Sequence, residues 1–200
     1  MMIEVPSDNL SPKSANAFSK WLGRTGLAMM GWQVDGMFLN QKKYIVVLAP
    51  HTSNWDFVIA IGVLLASGLK ISFLIKHSLF FWPFGVFLRK VGGIPIDRKS
   101  AHGVVGEIVT HFNAEEALIV ALAPEGTRKA VKQWKTGFLH MASEAQVPIL
   151  PVAFDYDHKT LRIGSAVVVS GDVEADLSTV KAFYKGIRPK NVQVNDIKAK

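Results

Sequence analysis

No cysteine occurs among the 200 residues of this chain. Its absence excludes disulfides, thiolate metal sites and a cysteine nucleophile through which an acyl group could pass, and it suits a reducing compartment. Long apolar runs are also missing, since none approaches the ~20 residues needed to span a bilayer. No spanning helix is therefore expected. The opening MMIEVPSDNLSPKS lacks the basic-then-apolar order of a secretory signal. There is no internal repeat, no low-complexity tract, no GxxxxGK[ST] phosphate loop and no GxSxG elbow of the kind α/β hydrolases use. Acidic residues are outnumbered by Lys and Arg, 16 to 23, leaving a formal charge of +7. That balance favours anionic lipid surfaces, nucleotide phosphates or an acidic carrier protein. A nucleic-acid partner is not expected, because the basic residues are dispersed and no recognised binding motif accompanies them.

What is present is a core. Hydrophobic residues make up 49% of the chain, enough for one well-buried domain, and nothing reads as a linker. Strand-like runs (YIVVLAP, KISFLIK, GGIPIDR, ALIVALAPEG, VPILPVAFDY) alternate with helical stretches at 54–68, AHGVVGEIVTHFNAEE and WKTGFLHMASEA. This alternation predicts a single α/β domain with a mostly parallel, mixed sheet flanked by helices. The segment LRIGSAVVVSG reads as a late hairpin forming an antiparallel edge, and a last amphipathic helix is expected near 177–186.

In such a sheet the loops after the strand ends collect functional groups. PHTSNWD (50–56) follows YIVVLA and sets four residues between His51 and Asp56. Within a regular helix these two would not face each other, so the pair makes sense only at a boundary. Ser53, followed three residues later by Asp56, resembles a capping pair opening the 54–68 helix. With His51 in the loop and Asp56 in the first turn, the carboxylate can accept the imidazole N–H and leave the other nitrogen to take a proton. Alternatively, Asp56 is only a first-turn acid and His51 a loop histidine. The residues alone leave both readings open.

PEGTR (124–128) supplies backbone freedom at Gly126 and donors at Thr127 and Arg128, a set that fits a phosphate. Glu125 can orient the arginine or accept from a substrate hydroxyl. The competing reading is a charged turn closed by an ion pair. GGIPIDR (92–98) offers a second phosphate-directed arginine, Arg98, although Asp-Arg at a strand end is commonly a surface pair. VPILPVAF (147–154) carries no catalytic group and reads as a buried strand. A metal site on His51 and Asp56 lacks a third ligand at helical spacing, so no metal is expected.

The ordered set PHTSNWD, GGIPIDR, PEGTR and VPILPVAF, with KHSLF…PFG before the second motif and WKTGF after the third, resembles the glycerolipid acyltransferase superfamily, lysophosphatidic acid acyltransferases among them. The resemblance runs from about 44 to 171. It implies that His51 is a general base, Asp56 its orienting partner, and Arg98 with Glu125, Gly126, Thr127 and Arg128 the binders of the acceptor's phosphate or polar head. Lys76 and Lys135 are further candidates for donor or phosphate contacts. The implied fold is glycerol-phosphate acyltransferase-like. The implied reaction moves a fatty acyl group from acyl-CoA or acyl carrier protein, as co-substrate and with no cofactor, to the hydroxyl of a lysophospholipid such as 1-acyl-glycerol-3-phosphate. Backbone amides near the start of the 54–68 helix are candidate donors to the thioester oxygen. IPIDR departs from the superfamily, many members of which carry a phenylalanine-isoleucine pair before the arginine. The alternatives are transfer to another hydroxylated lipid, a thioesterase or lipid hydrolase, and a non-enzymatic membrane-binding module.

Two stretches look suited to an interface. SANAFSKWLGRTGLAMMGWQV (14–34) mixes Lys20 and Arg24 with Phe18, Trp21, Leu22 and Trp32, as in a helix lying among headgroups. LFFWPFGVFL (79–88) gathers five aromatics around Pro83 and Gly85. The bland reading is that these aromatics fill the core. Together with the charge they predict an N-terminal amphipathic, membrane-interface segment over 1–35, a catalytic domain over 36–200, and peripheral or monotopic residence on the cytoplasmic face of a membrane.

Overall fold

The computed structural model describes residues 10–13, 16–90, 92–96, 101–127 and 131–191, with 101 and 102 described by their backbone alone. Its seven strands are β1 (Gln33–Asp35), β2 (Lys43–Leu48), β3 (Ile71–Lys76), β4 (Gly93–Ile96), β5 (Leu118–Leu122), β6 (Ile149–Asp155) and β7 (Thr160–Ile163). They form one sheet in the order β1-β7-β6-β2-β5-β3-β4. Every pairing is parallel except β6 with β7. The helices are α1 (Ala17–Met29), α2 (Asn54–Ser67), α3 (Phe84–Lys90), α4 (Ala101–Ala114), α5 (Gly137–Ala145) and α6 (Val173–Ala182).

The central strands are apolar at nearly every position because both faces of the sheet are covered. On β2, Tyr44 and Val46 join a core with Leu27 of α1 and Ile59 and Val63 of α2. Ile45 and Val47 point the other way, to Ile108 and Phe112 of α4, Phe138 of α5 and Val180 of α6. Strand β5 splits identically, with Ile119 and Ala121 on the first face and Leu118 and Val120 on the second. Each such side chain contributes about 1.5–3 kcal/mol by leaving water. The two layers of helix therefore hold the sheet, and the sheet holds the site.

Helix α1 packs on α2 nearly backbone to backbone. A Cβ at Gly23 would sit 2.4 Å from the amide nitrogen of Ala66, so only glycine permits this approach. Gly23 and Leu27 are buried there, whereas Phe18, Trp21, Leu22 and Met29 of the same helix remain exposed.

Two sequence expectations need correction. LRIGSAVVVSG is not a hairpin: its first residues form β7, whose antiparallel partner is β6, and Val167 makes a single bridge to Ile149. The antiparallel pair is also internal, because the unforeseen strand β1 pairs outside β7. The last helix begins at Val173 rather than 177, since the Asp172 side chain accepts the amides of Glu174 and Ala175 and fixes the start there. By contrast, the strand expected over 44–49 and the helix over 54–68 occur at Lys43–Leu48 and Asn54–Ser67.

Candidate active site

Strands β2, β5 and β6 are adjacent and parallel, so their C-terminal ends open on one edge of the sheet. Leu48 is followed by a cis Ala49–Pro50 bond and His51, Leu122 by Ala123, Pro124 and Glu125, and Asp155 by Tyr156. Topology thus gathers three residues that lie up to 105 positions apart in the chain, from 51 to 156.

His51 Nδ1 lies 3.1 Å from Asp56 Oδ2. The same oxygen accepts the backbone N–H of Thr52 and of Ser53, each at 2.9 Å. Ser53 is the extended N-cap of α2, its hydroxyl accepts from Trp55 at 3.1 Å, and the reciprocal capping box is complete. The dyad and the capped helix, alternatives in the sequence, are one structure sharing one carboxylate oxygen. The second oxygen, Oδ1, accepts the Tyr156 hydroxyl at 2.6 Å.

The Asp56 side chain is fully buried while His51 is 24% exposed. Burial pushes the Asp56 carboxyl up, but hydrogen bonds from His51, Tyr156 and Ser53 more than offset this and hold it below its ordinary value. It stays ionised, with the positive end of α2 adding to the effect. With Nδ1 donating to that carboxylate, Nε2 is the nitrogen left to accept a proton. Tyr156 is displaced the other way: burial and the adjacent carboxylate raise its phenol well above the usual range, so it remains a donor.

Glu125 takes a role the sequence did not indicate. Its Oε1 accepts the backbone N–H of His51 at 3.1 Å, bracing the His51 loop from the end of β5. Oε2 is buried and finds no partner among the described residues. Burial raises this carboxyl above its ordinary value, opposed by its hydrogen bond to the His51 backbone. Gly126 adopts φ +63, and a Cβ there would meet Lys135 Cε at 3.2 Å, so the glycine lets the lysine pass beside the turn.

His51 and Asp56 line a cavity of about 970 Å³. Gly126, Thr127 and Lys135 form part of its polar wall; Phe57, Phe73, Ile75, Ile96, Val105 and Phe138 are among the apolar residues. Lys76 ends β3 on the exposed surface and is not a lining residue, although its neighbour Ile75 is. Arg98 and Arg128 lie outside the described residues. Among the described residues there is no group of three His, Cys, Asp or Glu that could hold a metal ion.

The structure also narrows the candidate oxyanion donors. Near the start of α2, the amides of Thr52 and Ser53 serve Asp56, that of Trp55 serves Ser53, and the His51 amide serves Glu125. Three contributors were missed in the sequence. Tyr156 is one. Tyr184 donates its hydroxyl to the Val47 carbonyl at 2.6 Å, and the Asn191 amide donates to the Thr52 carbonyl at 2.9 Å, so the segment after α6 is tied to β2 and to the His51 loop. Only Tyr156 left a sequence signal, as a polar residue just past a buried strand.

Comparison with known proteins bears on the family and the fold. The family described as Acyltransferase matches residues 32–155. A 1-acyl-sn-glycerol-3-phosphate acyltransferase of Haemophilus influenzae is 27% identical over 163 residues, 76% of this chain and 66% of that protein. One from Escherichia coli is 34% identical over 114 residues, 54% of this chain and 45% of that protein. The matched part of this chain thus spans between about half and two thirds of those relatives' length. The crystal structure of the 1-acyl-sn-glycerophosphate (LPA) acyltransferase PlsC from Thermotoga maritima superposes with a TM-score of 0.58 over 92% of this chain and 80% of that one, at 18% identity, and shares its fold. A doubly covered, mostly parallel sheet, a histidine and aspartate at the opening of α2, and a family match across more than half the sequence lead to one conclusion: the chain belongs to the acyltransferase family.

Proposed function

We propose that this protein transfers a fatty acyl group from an acyl thioester, carried by CoA or acyl carrier protein, to the free hydroxyl of 1-acyl-glycerol-3-phosphate in phospholipid synthesis. The observation that carries this reading is the His51–Asp56 pair in the wall of a large, mainly apolar cavity. The named activity of the relatives supplies the acceptor class.

In the proposed reaction His51 Nε2 takes the acceptor's hydroxyl proton as that oxygen attacks the thioester carbonyl. Asp56 stabilises the imidazolium that forms. The tetrahedral centre collapses, the C–S bond breaks, and His51 returns the proton to the departing thiolate. General-base assistance of this kind contributes about 10²–10⁴ in rate. No acyl-enzyme and no resident cofactor enter the sequence. Gly126, Thr127 and Lys135 line the polar side of the cavity and suit the acceptor's phosphate; the role proposed for Arg98 and Arg128 is to bind the same phosphate. Glu125 acts by fixing the His51 backbone. Lys76, on the surface beside the cavity, suits the phosphates of the donor.

The reaction is placed at the cytoplasmic face of a membrane, with the 1–35 segment as interface element and 36–200 as catalytic domain. The exposed aromatics of α1 and of the 79–88 segment support this placement. No helix among the described residues is long and apolar enough to cross a bilayer. The test is transfer of labelled acyl groups to 1-acyl-glycerol-3-phosphate vesicles: His51→Ala should abolish it in a folded protein, and near-normal activity in that variant would overturn the proposal.

A further inference from the structure

Asp56 has two oxygens with different duties. Oδ2 is held by the Thr52 and Ser53 amides and faces His51, while Oδ1 has Tyr156 as its partner. The terminal torsion of an aspartate is broad, so amides gathered on one oxygen do not by themselves fix the carboxylate plane. A donor on the opposite oxygen does. We propose that Tyr156 is a positioning residue for acyl transfer, acting through Asp56 to set the carboxylate plane that aligns the His51 imidazole.

Tyr156 is itself over-determined. It is the first residue past β6, which lies parallel to β2, so it emerges beside the His51 loop. Its ring meets Trp32 edge-on at 4.9 Å between centroids. Its backbone N–H donates to the Arg188 carbonyl at 3.1 Å. The turn behind it is clamped by buried Asp155, whose Oδ2 accepts from His158 Nδ1 at 2.9 Å and Arg162 at 2.8 Å. A hydroxyl held this firmly 2.6 Å from a buried carboxylate oxygen fixes an orientation as well as satisfying a charge. Side chains from the loop after β2, from α2 and from just past β6 thereby act as one hydrogen-bonded chain, Tyr156 to Asp56 to His51.

The inference rests on the acyl-transfer reading, and its test separates the two. Tyr156→Phe keeps the ring against Trp32 and removes only the hydroxyl. Wild type, Tyr156→Phe, Asp56→Ala and the double variant are assayed with acyl-CoA and acyl carrier protein donors and 1-acyl-glycerol-3-phosphate. Tyr156→Phe is expected to lower kcat about tenfold, the scale of a hydrogen bond to a charged group, with the acceptor KM unchanged. In the Asp56→Ala background, which has neither oxygen, the same change is expected to cost nothing further, because its route of action is already gone. The downfield proton resonance of His51 Nδ1–H, identified by its disappearance in His51→Ala, is expected to move in Tyr156→Phe. A Tyr156→Phe kcat within twofold of wild type, an equal loss in both backgrounds, or an unmoved resonance overturns the proposal. If the wild type transfers to no acceptor, the functional reading fails instead, and the resonance alone decides whether Tyr156 positions the pair.

Discussion

Replacing Asp56 by asparagine isolates its charge from its shape. The amide oxygen can keep the amides of Thr52 and Ser53 and the His51 N–H, while the amide nitrogen can donate to a Tyr156 hydroxyl that turns to accept. What is lost is the anion 3.1 Å from the imidazole. At an effective dielectric constant of about 20, the attraction between that anion and an imidazolium is about 5 kcal/mol. Because His51 is 24% exposed, solvent screening reduces this to about 3–4 kcal/mol, a fall in kcat of ~10²–10³. Release of CoA thiol during acyl transfer is a convenient assay, since a chain without cysteine gives no thiol background. A capping contribution must be separated from this one. Ser53→Ala removes the hydroxyl that accepts from Trp55, and is expected to cost about 1 kcal/mol of stability with kcat within a few-fold of wild type. If Asp56→Asn kept a third of the wild-type kcat, or if the two variants lost activity in proportion to stability, Asp56 would be a helix cap and the general-base reasoning would fail.

Glu125 should make stability depend on pH. Its carboxyl is raised in the fold, so the stabilisation it gives when protonated is present at low pH and is lost as pH rises through the folded-state value. Glu125→Gln is therefore expected to raise Tm at pH 7 by ~2–4 °C and to leave it unchanged near pH 4, and scanning calorimetry at the two values checks the sign. Gly23→Ala places a methyl 2.4 Å from the Ala66 backbone, and should lower stability by about 1–3 kcal/mol in urea melts; an unchanged midpoint would mean that α1 does not pack on α2 as described. Phe81 and Trp82 are 61% and 84% exposed, so changing both to serine should leave Tm unaltered. Binding of that variant to anionic phospholipid vesicles should fall ~30-fold, from about 2 kcal/mol of lost apolar contact, and undiminished cosedimentation would remove this segment from the membrane-facing surface.

The parts legible in the sequence were those governed by local rules. The 54–68 helix was readable because Ser53 and Asp56 form a cap three residues apart, and the central strands because burial on both faces demands unbroken apolar runs. β1 was not readable, since three residues, Gln33–Asp35, with one buried side chain carry no period. The hairpin was misassigned because AVVVS has strong strand propensity, yet all but one of its residues lack a ladder partner. For the site, a His51–Asp56 contact was one of two readings that five positions of sequence left open, whereas Glu125 on the His51 amide and Tyr156 on Asp56 depend on strand order, which no local pattern encodes.

That dependence has a consequence in time. The contacts that brace the His51 loop and Asp56 span 74 residues from His51 to Glu125, 100 from Asp56 to Tyr156 and 139 from Thr52 to Asn191. During synthesis the histidine and its carboxylate emerge early, but their braces arrive one after another, and the last belongs to the segment that follows α6. A nascent or C-terminally clipped chain carries the dyad without its frame. The frame around His51 and Asp56 is thus completed by residues far along the chain rather than by the helix that carries the carboxylate.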